Sequence, residues 1–248
     1  MFWDMRFTAG PRLKSVLAAL CFLLFAVATP VCAEWFADLY GGSAYTPRSD
    51  VTLVVRPPSG AADHAFHDLK WNTSWVLGGR AGYWLDAAPW YGIGLDVFRF
   101  NADLPTQTVD TTILGVTAPA TLQAIDFSIA AIAFDVVRLR YPFLASQDYP
   151  KGRLQPYVTA GRALFRIRGT NTTNGELTTR PATDSSWGYK LGAGLSWQLT
   201  RAAAIFGEYR YTHFRAEPVF DSAFSSLRVP MRLDLNTHHL VAGVSFRF

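Results

Sequence analysis

Five histidines, His64, His67, His213, His238 and His239, offer the widest chemistry in this 248-residue chain. Imidazole ligates zinc and carries protons near neutral pH. His213, His238 and His239 fall on two segments that alternate like neighbouring strands, so a shared metal site is one reading of them. Separate histidines at a polar rim are the simpler reading, and no metal ligand is assigned. His64 and His67 follow Pro57-Pro58-Ser59-Gly60 in an irregular stretch, where solvated side chains are the default. Both cysteines, Cys21 and Cys32, lie within the first 33 residues, leaving no thiol or disulfide framework beyond them. No P-loop, dinucleotide fingerprint or zinc-knuckle spacing occurs, so no catalytic residue and no cofactor is assigned.

A second group is more telling. Asp38, Arg80, Asp96, Arg162, Arg166, Lys190, Glu208 and Arg210 each stand on the polar side of a segment that alternates with period two. Enclosed charges of opposite sign must pair. These eight therefore predict either a structural ion-pair network or a gated ion pathway, and the network is the expectation adopted.

The elements that would position them are eight strand-like segments. Residues 35–45 set Trp35, Ala37, Leu39 and Tyr45 against Asp38, and residues 74–85 set Trp75, Leu77, Ala81, Tyr83 and Leu85 against Arg80. Residues 90–101 oppose Tyr91, Ile93, Leu95 and Val97 to Asp96, and residues 155–169 oppose Tyr157, Ala163, Phe165 and Ile167 to Arg162, Arg166 and Arg168. In 187–199 every odd residue is apolar, while Gly188, Lys190, Gly192, Gly194, Ser196 and Gln198 alternate with them. Residues 203–214 oppose Ile205, Tyr209 and Tyr211 to Glu208 and Arg210. The last, 239–248, alternates Leu240, Ala242, Val244, Phe246 and Phe248 with smaller or polar residues, Val241 excepted. An open aromatic edge strand invites aggregation, whereas one that pairs with the first strand closes a barrel.

Segment 123–141 breaks register, because Asp126, Ser128, Arg138 and Arg140 share a parity that Asp135 does not. A β-bulge near Ala130–Ala131 is predicted to flip it. Connections 86–89, 142–153 and 200–202 are short, and 46–73, 102–122, 170–186 and 215–235 are long. Asn174-Gly175 predicts a type I′ hairpin joining strands five and six as a ribbon above the membrane.

Residues 1–33 look like an export signal: Arg12 and Lys14, fourteen uncharged residues from Ser15, then Val31-Cys32-Ala33. Fourteen residues make about 21 Å of helix, short of the roughly 30 Å of a hydrocarbon core. Removing Arg6, Arg12, Lys14 and Asp4 from 23 basic and 19 acidic residues leaves a net charge of +2, which is no nucleic-acid footprint. Aromatics at strand ends and 17% charged residues place the apolar face toward lipid and the glycines and charges inside. The fold class is all-β, an eight-stranded antiparallel up-and-down transmembrane barrel over 34–248, with both termini periplasmic.

Gly78-Gly79-Arg80-Ala81-Gly82-Tyr83-Trp84, Gly92-Ile93-Gly94-Leu95-Asp96 and Pro156-Tyr157-Val158-Thr159-Ala160-Gly161 resemble strands of small outer-membrane β-barrel proteins of the OmpA-like type. So does Gly192-Ala193-Gly194-Leu195 with Gly207-Glu208-Tyr209-Arg210-Tyr211. The resemblance implies a Gram-negative outer membrane, delivery by periplasmic chaperones, and barrel-assembly machinery that reads Phe246 and Phe248. It also implies a monomer in contact with outer-membrane lipids and lipopolysaccharide. By their own charge and outward position near the outer rim, Arg99 and Arg215 are candidates for charge-assisted contacts with lipopolysaccharide phosphates. The peptidoglycan-binding domain of larger OmpA-like proteins is expected to be absent. Outer-membrane lipid A deacylases carry a Ser two residues from the His, where this chain has Arg215 after His213. A non-enzymatic barrel serving envelope integrity or surface adhesion is expected. A small porin-like transporter and a lipid A-modifying enzyme are the alternatives.

Overall fold

The computed structural model describes residues 34–55, 62–171, 180–221 and 228–248. The expected export signal and the Asn174-Gly175 turn lie outside the described residues. The strands are β1 (Glu34–Tyr45), β2 (Ser49–Val55), β3 (Ala62–Leu69), β4 (Ser74–Trp84), β5 (Tyr91–Asn101), β6 (Gln107–Ile113) and β7 (Val116–Leu122). They continue as β8 (Ile125–Arg140), β9 (Leu154–Asn171), β10 (Ala182–Gln198), β11 (Ala203–Ala216), β12 (Val219–Asp221) and β13 (Arg228–Arg247).

Eight of these close a barrel in the order β1-β4-β5-β8-β9-β10-β11-β13, every neighbour antiparallel. The last strand returns to the first from Phe36↔Arg247 to Tyr45↔His238, and Trp35 and Phe248 exchange backbone hydrogen bonds at the seam. The first described residue, Glu34, and the last, Phe248, lie at the end that carries the short turns.

The long connections are not simple loops. β13 continues past the barrel and pairs β2 through Met231↔Leu53, and β3, β6 and β7 follow in a sheet at the loop end. β12 pairs the start of β13 on the other side. These strands are short and polar on their exposed face, so period-two apolarity did not announce them.

Outside and inside divide sharply along the barrel wall. Leu240 is 65% exposed and Trp75 79%, while Lys190 and Arg210 are 0% exposed. A water-soluble barrel would reverse that assignment.

Two expectations need correction. The bulge in β8 lies at Val136, between Asp135 and Val137, not at Ala130–Ala131. Asp135, Arg138 and Arg140 all point inward, and a bulge between 135 and 138 is what reconciles their parities. Asp126 faces outward near the loop end and did not constrain the register. In β9, Tyr157, Ala163, Phe165 and Ile167 are inside, and Arg162, Arg166 and Arg168 are outside. Alternation separates two faces but does not say which is inner. The loop half of this interior is apolar, and that inverts the assignment made from charge.

Candidate functional site

Cross-strand register brings the interior charges together. Arg80 on β4 stands opposite Asp38 on β1 and opposite Asp96 on β5. Its guanidinium donates to Asp38 Oδ2 at 2.9 Å and Glu208 Oε2 at 2.9 Å. Arg210 holds Glu208 Oε1 with two nitrogens at 3.0 and 2.9 Å, and reaches Asp96 Oδ2 at 3.1 Å. Lys190 Nζ sits between Asp96 and Asp135, 2.7 Å from the latter. Two tyrosines complete the layer. Tyr40 donates to Asp96 and accepts from Arg210 at 2.8 Å, and Tyr157 donates to Glu208 at 2.9 Å. Arg138 joins at 3.6 Å from Asp38, stacked over the Phe36 and Tyr157 rings. Four cations thus face four anions: Arg80, Arg138, Lys190 and Arg210 against Asp38, Asp96, Asp135 and Glu208.

Toward the short turns, Arg140 grips Glu34 through two hydrogen bonds of 2.9 and 2.7 Å. Lys151 at 2.8 Å and Arg247 at 3.1 Å converge on the same carboxylate. Glu34 therefore ties the first and last strands of the barrel to β8 and its following turn.

Toward the loops the interior turns apolar. Phe165 stacks on Phe214 with ring centroids 4.2 Å apart. His239 is fully buried, edge-on to Phe100 at 4.9 Å, with its Nε2 3.0 Å from Thr212 Oγ1. Phe127, Phe220, Ile129, Leu235 and Trp71 extend this tier up to the loop sheet. The interior is thus filled twice over, by an ionic layer and by an aromatic one.

Of the eight charges expected inside, Asp38, Arg80, Asp96, Lys190, Glu208 and Arg210 are gathered in the ionic layer, and Arg162 and Arg166 are not. Sequence reasoning missed Asp135, Arg138, Arg140, Glu34 and Arg247 as interior charges. The parity break at 135–138 is the signal for Asp135, Arg138 and Arg140. It also missed Tyr157, whose alternation reads as that of a wall residue, and Tyr40, which shares the parity of Asp38; both point inward. His239, expected at the outer rim, is inside, while His238 is outside against Tyr209. The two cannot share a metal. His213 pairs with Asn236 at 2.9 Å and Asp234 at 3.3 Å, and Arg215, a candidate for lipopolysaccharide phosphates, is bound to Asp234 at 2.8 Å.

The model of one protein family, described as the outer membrane protein beta-barrel domain, matches residues 17–248. The chain belongs to that family. It is an outer-membrane β-barrel protein. Among solved structures, OprG from Pseudomonas aeruginosa is similar with a TM-score of 0.56 at 14% identity, covering 88% of this chain and 96% of that one. Neisserial surface protein A gives 0.46 at 16% identity over 88% and 98% of the two chains. The Escherichia coli outer-membrane protease OmpT gives 0.41 at 11% identity over 87% and 97%. At these identities OprG supports the fold alone. No curated protein matches the chain.

Proposed function

We propose that this outer-membrane barrel is a sealed, non-enzymatic scaffold that holds an ordered sheet outside the cell for adhesion or recognition. The observation that carries the reading is the pairing of a doubly filled interior with long connections folded into strands. A pore needs a continuous water column, which eight strands seldom leave. Structure spent on loops is the mark of a binding surface.

In this reading the short turns and both termini face the periplasm, residues 1–33 are removed after export, and Phe246 and Phe248 are read during barrel assembly. The ion-pair layer has a structural role. The protein works as a monomer among outer-membrane lipids and lipopolysaccharide. The display surface is the hairpin of β6 and β7, joined by Leu114 and Gly115, both at positive φ as a two-residue hairpin turn requires. Leu114 is 78% and Val116 69% exposed, an apolar tip on a threonine-rich ribbon. Pro119 removes an N–H from the free edge of β7, which guards it against strand addition.

Two measurements test this. Protein in planar bilayers is expected to show no steady conductance, and openings well above leak would refute the sealed interior. Replacing residues 108–121 with a Gly-Ser linker is expected to abolish attachment of expressing cells to host-matrix surfaces while the protein still migrates as a folded barrel. Undiminished attachment would rule out the hairpin as the display surface.

A further inference from the structure

Arg162 and Arg166 raise a question by facing outward. With Arg99 and Arg168 they form a basic sector on the outer wall of β5 and β9. Register sets Arg99 opposite Ala130, and Ala130 opposite Arg166, so two arginines flank one small residue across three strands. Their Cα atoms are two strand spacings apart, about 10 Å. The next row toward the loops reads Asn101, Ser128, Arg168, Thr183. The row beneath reads Val97, Ile132, Leu164, Trp187, all outward and lipid-facing. Arg162 lies one row lower, and its guanidinium turns toward Trp187 at 5.6 Å from the ring.

Arg99, Arg166 and Arg168 therefore lie on the loop side of the Trp187 row, and Arg162 lies on its other side. Among the described residues no carboxylate lies within 4.0 Å of any of these four guanidiniums. Asp126, exposed one row above Arg168, is the nearest outward acid by register. Arg215 behaves differently, being neutralised by Asp234 at 2.8 Å. Unpaired arginines at the edge of a hydrocarbon band repel one another and lose hydration, so the arrangement calls for an anion. Guanidinium forks fit phosphate with two parallel hydrogen bonds. The anion must also belong to a molecule whose chains lie against Ile132, Leu164 and Phe134. Between the arginine columns the register places only the small residues Ala130 and Ser128, which leaves the guanidiniums unobstructed by a bulky side chain.

We propose that Arg99, Arg166 and Arg168, with Arg162 beneath them, form a binding site for the phosphorylated headgroup of outer-leaflet lipopolysaccharide. Ala130 provides the floor of the site and Trp187 its lower border. The site rests on the proposed orientation, with the long connections outside.

Native mass spectrometry of protein extracted in mild detergent tests it. Wild type is expected to retain lipopolysaccharide, and the Arg99→Gln/Arg166→Gln variant to retain at least tenfold less, while Arg215→Gln retains as much as wild type. A second arm needs no mutation. In nanodiscs, wild-type protein is expected to enrich bisphosphorylated lipid A around itself and to show no enrichment for the dephosphorylated form. Equal retention by wild type and the double variant, or enrichment indifferent to phosphate, would overturn the site. Orientation is read separately, since residues 34–248 contain no cysteine. Val116→Cys is expected to react with an impermeant maleimide on intact cells. Reaction only after permeabilisation would overturn the orientation, and the site with it. Reaction on intact cells together with phosphate-indifferent binding would overturn the site alone.

Discussion

Lys190 shows how much rests on single side chains in the ionic layer. It is fully buried and lies between Asp96 and Asp135, so removing its charge leaves four buried carboxylates against three cations and takes from Asp135 its nearest cation. Breaking a buried pair in this way costs roughly 3–5 kcal/mol. Lys190→Met is expected to lower unfolding stability in lipid vesicles by about that amount. Adding Asp135→Asn should recover a good part of it, because three cations then face three anions. Urea titrations of the two variants separate this from a simple packing defect, which the second substitution would not relieve. Asp50, in the loop sheet, makes a pH prediction. It accepts the Asp68 backbone N–H at 2.9 Å, with His67 as a further partner, and these hold its carboxyl below the usual aspartate range. A depressed folded pKa means that the stabilisation is present above the unfolded value of about 3.9 and is lost as pH falls through the lower folded value. The Asp68 amide resonance is expected to titrate below about pH 3.9, and Asp50→Asn should remove that titration.

At the scale of the strand, β4 is as much defined by what it lacks as by Arg80. Tyr40 on β1 passes over Gly78 to reach Asp96 on β5. A Cβ at Gly78 would lie 2.5 Å from the Tyr40 hydroxyl oxygen and 2.8 Å from Phe98 Cβ. Gly78→Ala is therefore expected to displace the tyrosine from Asp96 and Arg210, at about 1–3 kcal/mol of overpacking. Its measure is the unfolding midpoint beside that of Gly79→Ala, whose Cβ meets nothing closer than 3.4 Å and which should be nearly neutral. The bulge at Val136 has a comparable role in β8. Deleting that residue puts Asp135 and the Arg138–Arg140 pair out of phase, sending one set toward lipid at about 2–4 kcal/mol per arginine near midplane. The shortened chain is expected to fail the folded-barrel gel shift, whereas deleting Gly115 in the exposed hairpin should leave it intact.

Across the whole molecule the two interior tiers lie in series along the barrel axis, the ionic layer beneath the aromatic one. Phe214→Ala is expected to destabilise the barrel by about 3–5 kcal/mol and yet produce no conductance in bilayers, because the charge layer beneath still closes the lumen. Current through that variant would mean that the aromatic tier is the sole seal. The same layering makes Glu34 a latch, joining first strand, last strand and the 142–153 turn through Arg140, Lys151 and Arg247.

The sequence by itself determined the eight wall strands, their closure through Phe246 and Phe248, and six of the interior charges, Asp38, Arg80, Asp96, Lys190, Glu208 and Arg210. Period-two alternation is a local property, and lipid contact enforces it along each strand. Only the tertiary structure decided which face of β9 turns inward, that 46–73 and 102–122 carry a sheet, and that Arg99, Arg166 and Arg168 meet on one sector. The inner face of this barrel changes from ionic to aromatic along its axis, so a charge on one strand says nothing of its side until the opposite wall is known. Residues from β5 and β9 become neighbours only through β8, a relation set by strand order and register.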